Sequence, residues 1–275
     1  AGDVRCSYGD LGQMVCNLAS GLMQMGLARG SRVAVFLEKR IEAVVSSFGV
    51  TAAGGVLVPV NPLLKPAQVA HILQDSGARV LITSTSRLAQ LGAVLAECPD
   101  LSHVVVCDGV AASGAFTFTV HAWADLLQPS AAASPGRLES DVAAIFYTSG
   151  STGRPKGVVL SHRNLVAGAI SVAGYLNNRA SDTLLAALPL SFDAGFSQLT
   201  TAFLVGARVV LLNYLLPRDV LQAMAKEQVT GLTAVPPLYM QLAALDWPAE
   251  ATRSLRYWAN TGGRMPGATL QRLRE

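Results

Sequence analysis

The sequence predicts an α/β fold of mostly parallel sheets flanked by helices. Short runs rich in valine, leucine and isoleucine alternate with longer apolar or amphipathic runs along the whole chain, as they do in β–α–β units. Hydrophobic residues make up 51% of the 275 residues and charged residues only 14%. This composition provides enough apolar material for a large core and excludes a disordered chain.

Four strands with helices between them are predicted in the first part of the chain. Their apolar residues are nearly continuous, which is typical of parallel strands that are buried on both faces. The predicted strands are 32–37, 56–61, 80–83 and 104–107, and the predicted helices are 41–53, 66–76 and 88–97. Residues 108–135 are rich in alanine, serine and glycine, so we expect a surface connection there.

The alternation resumes after this connection, and we therefore expect two packed α/β subdomains, residues 1–135 and 136–275. The predicted strands of the second are 142–147, 158–161, 184–188, 209–212, 232–235 and 255–260, and its predicted helices are 164–176, 196–204 and 220–226. The last residues form an amphipathic run without a Gly or Pro stop signal, so we expect a piece of a longer polypeptide.

Charge and cysteine patterns exclude several classes of protein. The 21 basic and 18 acidic residues leave a net charge of +3 and are scattered, so no nucleic-acid partner is expected. The uncharged run between Glu42 and Lys65 contains Gly54-Gly55 and Pro59, which favours a buried helix, a turn and a strand over a membrane span. Four cysteines without C-x-x-C spacing and the lack of a signal peptide predict a cytoplasmic protein without a metal site.

The segment with the most chemical information lies between two predicted strands and runs from Tyr147 to Gly157. It reads Tyr-Thr-Ser-Gly-Ser-Thr-Gly-Arg-Pro-Lys-Gly. Its glycines allow backbone N–H groups to face an anion, its hydroxyl groups add donors, and Lys156 adds a positive charge. The segment therefore predicts a phosphate-binding loop. A Walker A loop is excluded because Lys156 precedes a glycine and a strand, and a flexible linker fits poorly between two buried strands.

This run resembles the phosphate-binding signature of the adenylate-forming superfamily, which comprises acyl-CoA synthetases, the amino-acid-activating domains of peptide synthetases, and luciferases. Three further segments resemble elements of the same family. They are residues 51–62, similar to its upstream Gly-Gly element, residues 189–194, similar to the element that lines the acyl pocket, and residues 261–266, similar to the Gly-Gly turn beside adenine. The resemblance covers nearly the whole chain.

The resemblance implies that a carboxylate attacks the α-phosphorus of ATP, giving an acyl-adenylate and pyrophosphate. A thiol of coenzyme A or of a carrier protein then takes the acyl group, and Mg²⁺ would share the phosphate charge. By the same resemblance, the β- and γ-phosphates contact Thr148, Ser149, Gly150, Ser151, Thr152, Gly153 and Lys156. Thr148 and Lys156 are the candidate catalytic residues. The nucleotide would also contact Gly262, Gly263 and Arg264.

Several later elements of the family are not found before Glu275. These are an aromatic-x-Thr-Glu segment, an aspartate for the ribose hydroxyls, and a small domain with the adenylation lysine. We therefore expect the chain to be the N-terminal portion of such an enzyme, and to be inactive or nearly inactive by itself.

Two features point to different branches of the family. Residues 61–78 resemble acyl-CoA ligases, whereas residues 191–194 resemble the peptide-synthetase element whose Asp binds the amino group of the substrate. Phe192 and Asp193 are therefore candidate substrate residues, although Asp193 could instead cap the next helix. The combination is also similar to acyl-CoA ligases associated with bacterial exosortase gene clusters. We favour an AMP-forming acyl-CoA ligase, with an amino-acid-adenylating enzyme and a non-catalytic nucleotide-binding remnant as alternatives.

Overall fold

The computed structural model of the protein describes residues 4–109, 117–129, 136–149 and 154–274. Its contacts divide the chain into two compact units, residues 2–164 and 165–275. The division falls within one helix, α6 (His162–Tyr175). Among the described residues, no helix combines the length and the apolar character that crossing a membrane requires.

The first unit is built on a seven-stranded sheet. Its strands are β1 (Arg32–Phe36), β2 (Val56–Pro59), β3 (Val80–Thr83), β4 (His103–Val106), β5 (Thr119–Ala122), β6 (Val142–Ser149) and β7 (Pro155–Ser161). Its helices before α6 are α1 (Tyr8–Gln24), α2 (Ile41–Ala52), α3 (Pro66–Ser76), α4 (Thr85–Leu95) and α5 (Trp123–Leu126). The spatial order is β5-β4-β3-β1-β2-β6-β7, and every pair of neighbours is parallel except β6 and β7.

The second unit contains a four-stranded parallel sheet. Its strands are β8 (Thr183–Ala186), β9 (Arg208–Leu211), β10 (Gly231–Ala234) and β11 (Tyr257–Asn260), in the spatial order β11-β10-β8-β9. Its helices after α6 are α7 (Asp193–Val205), α8 (Pro217–Glu227), α9 (Pro236–Ala243), α10 (Ala249–Thr252) and α11 (Gly267–Arg274). The chain moves from β8 outward to β9 and then returns to the other side of β8, so the direction of winding switches between β8 and β10. In parallel sheets, ligands bind at the carboxyl ends of the strands beside such a switch.

Each sheet has its own apolar core. In the first unit, all four residues of β2 and all four of β3 are buried, which explains their uninterrupted apolar sequences. In the second unit, β8 is buried throughout, and the buried residues Leu185, Leu232 and Tyr239 belong to one cluster. The predicted α/β fold of mostly parallel sheets is confirmed.

Five described elements were absent from the sequence-based prediction, namely α1, β5, α5, α9 and α10. Helix α1 contains three glycines, which lower helix propensity and weaken its signal. Strand β5 and helix α5 lie in the stretch that was predicted to be a surface connection, and that part of the prediction was wrong. Each has only four residues, and β5 is an edge strand without a buried residue, so neither contains a clear apolar period.

The division between the two units lies later in the chain than the predicted boundary after residue 135. Strand β6 pairs in parallel with β2, through Leu57 and Ala144, and β7 pairs with β6. Both strands that flank the predicted phosphate loop therefore belong to the sheet of the first unit. Pairing between strands that are distant in sequence determines this assignment, and a change in local composition does not reveal it.

Candidate functional site

The predicted phosphate loop connects β6 to β7, which pair as the two strands of a β-hairpin. In this antiparallel pair, Thr148 lies opposite Lys156 and Ser149 lies opposite Pro155. Thr148, Ser149 and Lys156, which were predicted in the loop, therefore belong to the two strands. The remaining predicted phosphate contacts, Gly150, Ser151, Thr152 and Gly153, lie outside the described residues.

The two candidate catalytic residues, Thr148 and Lys156, lie opposite each other on this hairpin, and both are exposed. Residues that face each other in an antiparallel pair have Cβ atoms about 4.5–5.5 Å apart. Thr148 and Lys156 are both exposed, whereas Tyr147, the residue before Thr148, is 8% exposed and lies in the core. The hairpin thus presents a hydroxyl donor and an ammonium group side by side to solvent. This pair of groups is suited to an anion with several oxygens.

The candidate substrate residues lie at the carboxyl end of β8, beside the switch between β8 and β10. Phe192 is the N-cap residue of α7 and is 41% exposed, and Asp193 is the first residue of that helix. The Asp193 carboxylate accepts a hydrogen bond from the Ala194 N–H, with Oδ1 2.7 Å from the nitrogen. Asp193 therefore supports the start of α7 from inside the first turn while remaining exposed.

The sequence analysis did not single out Gly195, which allows residues 189–192 to pack closely against the start of α7. A Cβ atom on Gly195 would lie 1.8 Å from the Pro189 carbonyl oxygen, a distance that no side chain can occupy. The lack of a side chain at Gly195 therefore allows residues 189–192 to fold back over the first turn of the helix. The sequence signal was a glycine immediately before the predicted helix 196–204, where a glycine can mark a close approach of the backbone.

A second missed residue, Gln198, bridges the strands on either side of the switch. The β8–β10 pairing ends at Leu185 and Leu232. Beyond that point, Gln198 Nε2 donates to the carbonyl oxygens of Leu185 at 2.9 Å and Thr233 at 3.2 Å. The Gln198 amide thus links β8 to β10 at the point where the backbone pairing of these strands ends. Nothing in a single sequence distinguishes this glutamine from a solvent-facing one.

The predicted adenine turn follows β11 at the same edge of the sheet. Gly262 has a φ of 75°, in the left-handed region that glycine adopts without strain. Asn260 Nδ2 donates to the Gly263 carbonyl oxygen at 2.7 Å, which closes the turn. Gly262, Gly263 and Arg264 are all exposed. This edge therefore combines an exposed backbone turn after β11 with the Phe192–Asp193 segment after β8.

Tyr239, in helix α9, is a core residue. Its side chain is fully buried, and its hydroxyl donates towards the carbonyl oxygens of Leu232, at 3.0 Å, and Ala259, at 2.9 Å. Burial raises the pKa of this phenol above its ordinary value, so it stays protonated. Tyr239 therefore links β10 to β11 within the core.

The chain is similar to known proteins along its whole length. The family model described as AMP-binding enzyme matches residues 1–275. The long-chain-fatty-acid–CoA ligase FadD13 of Mycobacterium tuberculosis is 29% identical over 98% of this chain and 52% of its own length. Tyrocidine synthase 3 of Brevibacillus parabrevis is 31% identical over 89% of this chain and 4% of its own length.

Solved structures show the same fold. The anthranilate CoA ligase AuaEII in complex with anthranoyl-AMP superposes with a TM-score of 0.88 and 26% identity, over 97% of this chain and 52% of that one. The chain therefore spans about half the length of FadD13 and of AuaEII, with 52% of each covered. Because the family model matches from the first residue to the last, the chain belongs to the AMP-binding enzyme family.

Proposed function

We propose that the protein activates a carboxylic acid with ATP and transfers the acyl group to coenzyme A. The main support is the pairing of Thr148 with Lys156 on the exposed hairpin, because adenylation requires donors and positive charge around the leaving pyrophosphate. Membership of the AMP-binding family and similarity to acyl-CoA ligases add to this support.

In the proposed first step, a carboxylate oxygen of the acid attacks the α-phosphorus of ATP, and the bond to the β-phosphate oxygen breaks. Pyrophosphate leaves with the electron pair and the acyl-adenylate forms. Lys156 would neutralise the developing charge and Thr148 would donate a hydrogen bond to the same phosphates. In the second step, the thiolate sulfur of coenzyme A attacks the acyl carbon and AMP leaves.

The other phosphate contacts in this proposal are Ser149, Gly150, Ser151, Thr152 and Gly153, and the adenine contacts are Gly262, Gly263 and Arg264. Mg²⁺ is proposed to arrive with ATP and to share the charge of its phosphates. No group of three His, Cys, Asp or Glu side chains suited to a metal ion occurs among the described residues, and Mg²⁺ commonly binds through substrate phosphates. The hairpin itself would hold the phosphates through Thr148 and Lys156.

A second candidate function is adenylation of an amino acid for transfer to a carrier-protein thiol. It is favoured by the exposed Asp193 carboxylate beside the strand switch, since a carboxylate facing an apolar acyl pocket would attract a substrate ammonium group. In the ligase proposal, the same carboxylate only supports the start of α7.

Exchange of labelled pyrophosphate into ATP tests both functions. The product of the complete gene is assayed with fatty acids, aryl acids and amino acids, and Lys156→Ala controls for contaminating enzymes. Exchange with acids that lack an amino group, followed by thioester formation with coenzyme A, is the expected result. Exchange confined to amino acids would assign the protein to the second function, and binding of ATP without any exchange would leave a nucleotide-binding remnant.

The substitution Asp193→Asn separates the two roles of this residue. Asparagine still offers an oxygen to the Ala194 N–H, so α7 keeps its first-turn hydrogen bond. If Asp193 binds an ammonium group, the KM for amino acids should rise about ten- to a hundred-fold, as expected for losing a hydrogen bond to a charged group. We expect no such rise for acids without an amino group. Asp246→Asn, at an exposed position of the same unit, is the matched control.

A further inference from the structure

Helix α3 contacts both strands of the phosphate hairpin through polar side chains. Asp75 Oδ2 accepts a hydrogen bond from the Tyr147 hydroxyl on β6, at 2.5 Å. His71 Nε2 lies 3.3 Å from the Pro155 carbonyl oxygen at the start of β7. Since a carbonyl oxygen only accepts, Nε2 carries the proton in this contact. His71 and Asp75 are four residues apart, so both lie on one face of α3.

The two contacts reach the hairpin immediately before its candidate catalytic residues. Tyr147 precedes Thr148 on β6, and Pro155 precedes Lys156 on β7. The residues of each pair are consecutive in a strand, so their side chains point to opposite faces of the sheet. A contact that holds Tyr147 therefore also determines the direction in which Thr148 points. Burial, together with the hydrogen bond and the charge of Asp75, raises the pKa of Tyr147, so this phenol remains a donor.

Helix α3 is itself firmly held. At its start, Gln68 Oε1 accepts from the Lys65 N–H at 3.0 Å, and Pro66 occupies the first helical position. At its end, Arg32 on β1 donates from Nε to the Ser76 carbonyl oxygen at 2.5 Å and from Nη2 to the Gly77 carbonyl oxygen at 2.8 Å. The helix is thus tied to the centre of the sheet, which makes it a rigid support for the hairpin.

We propose that His71 and Asp75 are positioning residues that hold the phosphate hairpin from α3 and keep Thr148 and Lys156 aligned for ATP. The part of this proposal that concerns ATP rests on the proposed function. The part that concerns the hairpin does not, because it predicts how readily β6 and β7 open in the protein without substrate.

Trypsin reports the opening of the hairpin without any assay of activity. It cleaves after Lys156 but not after Arg154, because proline follows Arg154. Cleavage in the native state tracks the population of the open form when closing is fast. We expect Tyr147→Phe and Asp75→Ala each to speed cleavage at the Lys156–Gly157 bond about ten-fold, as expected for the loss of one charge-assisted hydrogen bond. Asp75→Asn should retain most of the protection because its amide oxygen still accepts.

A matched control exists on the same helix. Gln74 is exposed like its neighbour Asp75, but its Nε2 donates to the Glu97 carbonyl oxygen at 2.8 Å, away from the hairpin. Gln74→Ala therefore also removes one hydrogen bond of α3 and should leave cleavage after Lys156 unchanged. His71→Ala should open the hairpin from the β7 side, with an increase in cleavage that adds to that of Tyr147→Phe. By contrast, the effects of Tyr147→Phe and Asp75→Ala should not add, because they remove the same bond.

In the complete gene product, we expect Tyr147→Phe to raise the KM for ATP about ten-fold and to change kcat less than two-fold. Equal cleavage rates in Tyr147→Phe, Asp75→Ala and Gln74→Ala would overturn the proposal. Faster cleavage in an enzyme that catalyses no pyrophosphate exchange with any acid would support the role of α3 and overturn the proposed function instead.

Discussion

Lys156 is the residue on which the proposed chemistry depends most, because its ammonium group stands beside the Thr148 hydroxyl on the exposed hairpin. Replacing it with alanine removes a preorganised positive charge from the site. We expect Lys156→Ala to lower kcat/KM for adenylation about 10²- to 10³-fold, which is the range for losing one such electrostatic contact. Lys226→Ala, at an exposed lysine of α8, should have no effect. Undiminished pyrophosphate exchange by Lys156→Ala would exclude the phosphate role.

Asp182 is the residue that we expect to matter most for the stability of the second sheet. Its side chain is 2% exposed and accepts from Arg256 at 2.8 and 2.6 Å, from the Thr230 hydroxyl at 2.8 Å and from the Arg179 N–H at 2.8 Å. These partners come from segments that enter β8, β10 and β11. The carboxylate therefore joins the amino ends of three strands, opposite the edge where the candidate substrate residues lie.

We expect Asp182→Asn to lower the free energy of unfolding by about 3 kcal/mol, because it removes a buried negative charge that accepts hydrogen bonds from Arg256, Thr230 and the Arg179 N–H. Urea denaturation measures this loss. Glu250→Gln breaks the exposed Arg253–Glu250 pair of the same unit and should cost less than about 0.5 kcal/mol. Equal effects of the two substitutions would show that the hydrogen bonds and the ion pair of Asp182 add no more stability than an exposed ion pair.

The same carboxylate predicts a dependence of stability on pH. Burial by itself would raise the pKa of Asp182, but hydrogen bonds from Arg256, Arg179, Thr230 and Asn178 outweigh burial and lower the pKa well below its ordinary value. A depressed pKa in the folded state stabilises the protein above the unfolded pKa of about 3.9. This contribution is lost as the pH falls from that value through the folded pKa. Urea titrations between pH 6 and pH 3 should therefore show a smaller loss for Asp182→Asn than for the unaltered protein, and equal losses would contradict the assignment.

At the scale of elements, the start of α7 depends on the close approach of Gly195 to the Pro189 carbonyl oxygen. Because a Cβ atom at Gly195 would lie 1.8 Å from the Pro189 carbonyl oxygen, we expect Gly195→Ala to displace residues 189–192 and to destabilise the protein by about 1–3 kcal/mol. Thermal unfolding measures the loss of stability, and the KM for the acid should rise with it.

Gly92 in α4 provides a control at which the same substitution should stabilise the protein. It is exposed, and a Cβ atom there would meet nothing within 4 Å. Alanine also reduces the entropy of the unfolded chain, so we expect Gly92→Ala to stabilise the protein by about 0.5–1 kcal/mol. If the two substitutions shifted the unfolding temperature in the same direction, the close approach at Gly195 would not explain its effect.

At the scale of the whole molecule, ATP binding and folding should be linked. A ligand that binds only the folded state at 100 times its Kd stabilises that state by about 2.7 kcal/mol. We therefore expect ATP to raise the unfolding temperature of the protein, and we expect Lys156→Ala to lose most of this increase. An unfolding temperature that is unchanged by millimolar ATP would contradict nucleotide binding, whichever acid the enzyme activates.

The elements with strong local signals could be predicted from the sequence. Helix α3 has the predicted bounds because Pro66 provides a start and Gly77 a stop, and β3 is a short apolar run between turn residues. Helix α1 and strand β5 could not be predicted. Glycines interrupt the apolar pattern of α1, and β5 is a short edge strand. The AMP-binding family was identifiable from the segment around Lys156 because a long run of specific residue types rarely recurs by chance.

The sequence by itself determined the alternation of strands and helices and the family, because both are expressed in residues that are close together in the chain. Only the tertiary structure decided which groups meet. The Thr148–Lys156 pair depends on the register of a hairpin, and the Asp75–Tyr147 and His71–Pro155 contacts join residues 72 and 84 positions apart. The Gln198 bridge depends on where two strands stop pairing. Strand order and register arise from packing across the whole sheet, and the periods of 2.0 and 3.6 residues that reveal strands and helices contain no information about them.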